Sequence, residues 1–201
     1  MPQPARPQLW VIAGPNGAGK STLVRQKLAA LLFVINPDDI ALALPRRADG
    51  TLNELEAGRH AIALRKSKIA NGLSFAIETT MSGSSTLRFM ATARASGYKV
   101  TLIYIGLDDA RLSQSRVATR VSDGGHDVPT TAVERRYQTT MEKLGDALAL
   151  AERGYVFDNS GTRRHLLLTR EGSRTKYLAP ELPNWAIAAI PEPLRMAMSP
   201  K

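Results

Sequence analysis

The chain contains no cysteine, which removes disulfide scaffolds, thiolate metal sites and cysteine nucleophiles together. It has no run of five like charges, so it lacks the basic arm with which many proteins grip nucleic acid. Its longest unbroken apolar run, Leu28 to Ile35, falls far short of the ~18 residues that span a bilayer. Residues 1–8 carry three prolines and no apolar stretch, unlike a secretory signal. There is no internal repeat and no low-complexity segment. These absences predict a cytoplasmic protein without a membrane partner, held together by an ordinary hydrophobic core.

The 201 residues are 43% hydrophobic, enough for one domain that needs no disulfide or metal staple. The net charge of +9 bears on partners rather than on fold. It is spread along the chain: six bases to three acids over 1–50, seven to three over 51–100, six to seven over 101–150 and eight to five over 151–201. That spread favours a solvated basic surface with extra cations around one anionic ligand, and argues against nucleic acid as the partner.

Apolar runs alternate with helical stretches. Strands are expected at 9–13, 33–36, 74–78, 100–105, 155–157 and 165–169, and helices at 20–32, 53–70, 84–95, 110–121 and 132–153. Leu9-Trp-Val-Ile-Ala13 is apolar throughout, as in a strand covered on both faces of a parallel sheet. The pattern predicts a three-layer α/β fold with a mostly parallel central sheet, in a domain over residues 1–179. Five of the twelve prolines lie between Pro180 and Pro200 among apolar residues. Residues 180–201 therefore read as a tail packed on the domain or binding a partner.

Gly14-Pro15-Asn16-Gly17-Ala18-Gly19-Lys20-Ser21 fits the phosphate-binding loop G-x-x-x-x-G-K-[ST], with a strand before it and a helix after it. Such a loop folds its N–H groups around phosphate oxygens at a helix N-terminus, with the lysine on the β- and γ-phosphates and the serine hydroxyl on Mg²⁺. Lys20, Ser21 and the following Thr22 are thus candidates to hold ATP or GTP with Mg²⁺, Ser21 being the metal ligand. No Leu-Ser-Gly-Gly-Gln transporter signature occurs, and Gly106-Leu107 separates the best apolar strand from Asp108-Asp109. The alternative is a kinase, which needs a carboxylate for the acceptor hydroxyl and an arginine lid. Asp38 and Asp39 follow the second strand after Asn36 and Pro37, and Glu78 ends the third, where ligands of open α/β sheets bind. A helix-capping role competes for the aspartates.

Arg116 and Arg120 are one helical turn apart. Beyond a loop containing Gly124-Gly125-His126, Arg135 and Arg136 are expected in the first turn of the next helix, where cations are disfavoured unless an anion is close. Thr131 and Glu134 have the spacing of a capping box for that helix. The four arginines predict a lid over about 110–153 that closes on phosphates. His60, His126 and His165 read as structural residues.

In order, these segments resemble the zeta toxin family of P-loop kinases: the phosphate loop, Ile35-Asn-Pro-Asp-Asp-Ile40, Phe75-Ala-Ile-Glu-Thr-Thr80, Arg116-x-x-x-Arg120 through to Arg135-Arg-Tyr137, and Asp158-Asn-Ser160. The likeness spans roughly 9–170 and is nearest the short, single-domain branch usually labelled predicted ABC-type ATPase. It implies a P-loop NTPase/kinase fold with a helical arginine lid, and phosphorylation of a UDP-activated amino sugar such as UDP-N-acetylglucosamine. It implies Asp38 as general base, Asn36, Glu78 and Thr80 on the substrate side, and Arg116 and Asn159 on the nucleotide side. Arg120 and one of Arg135 and Arg136 would clamp the phosphate. A small acidic antitoxin is the implied protein partner. The sequence departs from the larger toxins at Glu78-Thr-Thr80, where they carry Glu-Gly-Thr, and at Met81-Ser-Gly83, where an arginine often stands. Rival readings are an ATP-binding regulatory or toxin–antitoxin module without transfer, and a polynucleotide kinase.

Overall fold

The computed structural model describes residues 6–122 and 129–196, except the side chain of Arg120. Seven strands form one sheet in the order β2-β3-β1-β4-β5-β6-β7. They are β1 (Gln8–Ala13), β2 (Phe33–Ile35), β3 (Phe75–Thr79), β4 (Lys99–Gly106), β5 (Arg153–Asp158), β6 (His165–Glu171) and β7 (Arg174–Leu178). β1 to β5 pair in parallel, and β6 and β7 close the sheet as an antiparallel edge. The sheet is therefore mostly parallel, as the alternation predicts.

The strands are apolar on both sides because both are covered. Leu9, Val11, Ala13, Phe75, Ile77, Leu102 and Tyr104 belong to one buried cluster. Ile12, Ala76, Ile103 and Ile105, at intervening positions, belong to another. Helices α3 (Glu54–Ala70), α4 (Ser84–Ala95), α7 (Leu144–Leu150) and α8 (Asn184–Ala189) contribute to the first cluster. The second is covered by α1 (Lys20–Leu23) with its π-helical continuation Val24–Leu28, together with Leu112 of α5 (Ala110–Ser122) and Tyr137 of α6 (Thr130–Glu142). This is a three-layer sandwich.

Several local expectations are corrected. The helix after the phosphate loop does not run α-helically to residue 32: past Leu23 it widens, with the Ala29 N–H donating to the Val24 carbonyl at 2.9 Å. A short helix α2 (Pro37–Ala43) follows β2, and its N-cap is Asn36, whose side-chain oxygen accepts from the Asp38 N–H at 3.1 Å. The capping competitor for the aspartates is thus met by the asparagine. The expected helix over 132–153 is two helices, interrupted at Lys143. α6 begins at Thr130 after Pro129 with no side-chain cap, so the Thr131–Glu134 capping box does not form, and Arg135 and Arg136 sit in the second turn, not the first. β7 and the two tail helices, α8 and α9 (Glu192–Met196), had no clear periodic signal. No helix among the described residues is long and apolar enough to cross a membrane.

Candidate functional site

The carboxyl ends of β1, β2 and β3 open into one cleft, as ligand sites of open α/β sheets do. Its volume is about 470 Å³, and the phosphate loop, α2, residues 78–82, Arg116 and Arg136 line it. β1 runs out into the loop, β2 into Asn36, β3 into Glu78 and Thr79, β4 into Gly106 and β5 into Asp158 and Asn159.

The loop is braced from two sides. Ser113 of α5 is fully buried and donates to the Asn16 carbonyl at 2.6 Å. Asn159 donates through Nδ2 to the Ala18 carbonyl at 2.9 Å, and Arg164 reaches the Gly19 carbonyl at 3.4 Å. Gly19 has φ +87, which favours glycine, and a Cβ there would stand 2.8 Å from Asn159 Nδ2 and push that side chain aside. Lys20 is buried and donates to the Pro15 carbonyl at 2.8 Å. Asn16 is buried in the cleft wall with no partner for its Oδ1 among the described atoms.

At the end of β3, Glu78 is only 7% exposed. It accepts from the Ser21 hydroxyl at 2.6 Å and more loosely from Asn36 Nδ2 at 3.4 Å. Burial raises its pKa above the ordinary glutamate value; Lys20 and the Ser21 hydrogen bond oppose that rise, while Asp39 and Asp38 add to it. A hydroxyl and a buried carboxylate side by side at the head of α1 form an oxygen pair of the kind that suits Mg²⁺, which takes few protein ligands alongside phosphates. Among the described residues no group of three or more His, Asp or Glu side chains could hold a metal by itself.

Residues just beyond Glu78 are held in an uncommon backbone. Met81 has φ +54 although it is not glycine, with its side chain in the core. The Thr79 hydroxyl accepts from its N–H at 3.0 Å and contacts the Thr86 hydroxyl at 3.3 Å. Such conformations persist where the surroundings over-determine them, and here they present Thr80 and Ser82 to the cleft.

Asp38 is exposed and lines the cleft, whereas Asp39 does not. Arg136 lines it, half-buried, while Arg135, about 100° round the helix, is exposed and outside the lining. Arg116 borders the cleft, but its guanidinium donates to the Asn159, Ser160 and Gly161 carbonyls at 2.7, 3.2 and 3.4 Å; it braces the loop after β5. The Arg120 side chain and residues 123–128, including His126, lie outside the described set. α6 is tied to the end of β4 by the Tyr137 hydroxyl, which donates to the Leu107 and Asp108 carbonyls at 2.9 and 2.8 Å. Burial, with the nearby Asp108, pushes that phenol up to about 12 and keeps it a donor. Arg25, Leu52 and Glu54 also line the cleft; they and Arg164 escaped the sequence reading because they belong to no motif. Ser113, three residues before Arg116 on the same helix, carried a usable signal.

The zeta toxin profile matches residues 1–166. The chain belongs to the Zeta toxin family. An uncharacterized protein of Haemophilus influenzae is 37% identical to this family member over 143 residues, 66% of this chain and 99% of its relative. Among solved structures, a chain of the PezAT chromosomal toxin–antitoxin system of Streptococcus pneumoniae superposes with TM-score 0.59 at 20% identity, covering 80% of this chain and 72% of that one. The native AvrRxo1-ORF1:-ORF2 complex gives TM-score 0.73 at 15% identity over 94% of this chain and 65% of that one, and the same complex with ATP gives 0.70 over 86% and 60%. This family member thus spans under two thirds of the AvrRxo1 chain, and the likeness at these identities is one of fold.

Proposed function

We propose that this zeta toxin family member is an ATP- and Mg²⁺-dependent kinase that transfers the γ-phosphate to a hydroxyl of a small molecule, a UDP-activated amino sugar such as UDP-N-acetylglucosamine. The observation that carries the reading is the placement of Asp38: its own N–H is capped by Asn36, and its carboxylate faces the cleft that holds Lys20, Ser21 and Arg136. Asp38 takes the proton of the acceptor hydroxyl. The acceptor oxygen forms a bond to the γ-phosphorus as the bond to the β–γ bridging oxygen breaks, releasing ADP. Lys20 and Arg136 offset the charge on the transferring group. Ser21 and Glu78 would hold Mg²⁺, which supplies charge neutralisation on the phosphates.

The ATP choice is supported by the phosphate loop and by the ATP complex of AvrRxo1-ORF1:-ORF2. A sugar-nucleotide acceptor fits the wall opposite the loop. Thr80, Ser82, Asp38 and Glu54 offer hydroxyls and carboxylates to a polyol, and Arg25 offers a cation to a diphosphate. An antitoxin-like protein partner belongs to the same reading, since the PezAT neighbour comes from a toxin–antitoxin system. The test is incubation with ATP and a panel of UDP-sugars, read by mass for one added phosphate. Asp38→Asn should abolish transfer while ATP still binds; normal turnover by that variant removes Asp38 as the base. ATP binding without transfer to any acceptor would favour a regulatory module instead.

A further inference from the structure

The family match ends at residue 166, yet a residue well beyond it bonds to the strand end whose loop braces the phosphate loop. Trp185 of α8 is 6% exposed and lies against Tyr104, the ring centroids 6.1 Å apart. Its six-membered ring occupies the space a side chain would take at Gly106, so the end of β4 is cut to receive it. The indole is also polar at one end. Its Nε1–H donates to Asp158 Oδ1 at 2.9 Å.

Asp158 is the last residue of β5 and opens the loop that braces the phosphate loop. Its carboxylate also accepts from the Ser160 hydroxyl at 2.6 Å and from the Ser160 N–H at 3.4 Å. Those two donors come from within the turn and move with it. Arg116 holds the turn from the α5 side through the carbonyls of Asn159, Ser160 and Gly161, and the indole, anchored in the core, is the donor that reaches the Asp158 carboxylate from outside the turn. Between Asp158 and Ser160 stands Asn159, with its N–H on the Gly106 carbonyl at 3.0 Å and its amide on the Ala18 carbonyl of the phosphate loop. The path from Trp185 to Ala18 therefore runs through one carboxylate and one adjacent side chain, with a hydrogen bond at each end.

We infer that Trp185 is a positioning residue for nucleotide binding: through Asp158 it sets Asn159 against Ala18, and so makes the segment after residue 180 part of the ATP site. Trp185 touches no substrate, and its effect is on ATP affinity. The inference rests on the reading that the phosphate loop holds ATP.

The test is the affinity of the full chain for the non-hydrolysable analogue AMP-PNP with Mg²⁺, by titration calorimetry. Trp185→Phe keeps a ring in the Gly106 slot and deletes the N–H. Its dissociation constant should rise about three- to tenfold, a partly transmitted hydrogen bond to a charged group. In an Asn159→Ala background the same substitution should add nothing, because its route is gone. A residue that only fills the core would give an undiminished effect in that background, or none in the first, and either result overturns the inference. Asp158→Ala removes the acceptor of the same indole hydrogen bond at a half-buried position and carries the same expectation should Trp185→Phe not fold; an unchanged affinity there overturns it too. Wild-type protein that binds no AMP-PNP sinks the proposed function and this inference together. Binding by wild type and Trp185→Phe alike sinks the inference alone.

Discussion

The two walls of the cleft are built differently. On the nucleotide wall, hydrogen bonds come from far along the chain: Ser113 to Asn16, Asn159 to Ala18, Arg164 to Gly19, and Arg116 to three successive carbonyls. On the acceptor wall the bonds are fewer and mostly local, from the Asp38 N–H to Asn36 and between the Thr80 and Ser82 hydroxyls, with one loose longer tie from Asn36 to Glu78, while Asp38 and Arg25 are exposed. One wall is preorganised around a chemically constant ligand. The other is an open surface whose side chains can change without disturbing the fold. A family can keep phosphate chemistry on the first wall while altering its acceptor on the second.

That contrast can be broken by substitution. Lys20→Ala removes a cation from the heart of the braced wall, and phosphoryl transfer should fall by about 10²–10³-fold or more, measured in single-turnover assays with labelled ATP. Arg116→Lys should raise the KM for ATP by about tenfold with a smaller change in kcat, because an ammonium cannot serve three carbonyls as a planar guanidinium does. Arg25→Ala should raise the acceptor's KM by about two- to fivefold, modest because the side chain is exposed, and leave ATP affinity unchanged. If Arg25→Ala weakens ATP and acceptor equally, the division into two walls fails.

The smallest expected effect is on stability and sharpens the role of Glu78. Its folded-state pKa is raised by burial, so the folded protein favours the neutral carboxyl. That contribution is fully present below the ordinary value of 4.5. It is lost as pH rises from there through the folded-state pKa, since the unfolded chain ionises first. Glu78→Gln should therefore raise the unfolding temperature of the ligand-free protein by about 2–4 °C at pH 8, with the gain vanishing near pH 4. Scanning calorimetry at the two pH values checks this; a gain that persists in acid would mean that ionisation is not its source.

The contrast also explains what could be read in advance. Gly14 to Ser21 is contiguous, and its chemistry is contained in its spacing. The alternation of apolar runs with helical stretches likewise announced a mostly parallel sheet, because burial on two faces leaves its mark on every strand residue. Arg25, Glu54 and Arg164 could not be found in this way: the first two line the cleft and the third reaches the Gly19 carbonyl, each from a segment with no motif. The choice of Arg136 over Arg135 as the cleft-lining arginine turned on where α6 begins, and Pro129, not the expected Thr131–Glu134 cap, set that start.

By itself, then, the sequence determined the phosphate loop, the α/β class and the order of the segments that resemble the family, since these depend on local spacing and on periodic burial. Asn36 caps α2 by a local bond, and only the tertiary structure decided that Asp38 then lines the cleft. It alone placed Glu78 against Ser21, and a tryptophan from the proline-rich tail against Asp158. Those last two are relations between segments distant in the sequence, brought together by the pairing order of the sheet and the helices that cover it, and no local pattern along the chain encodes them.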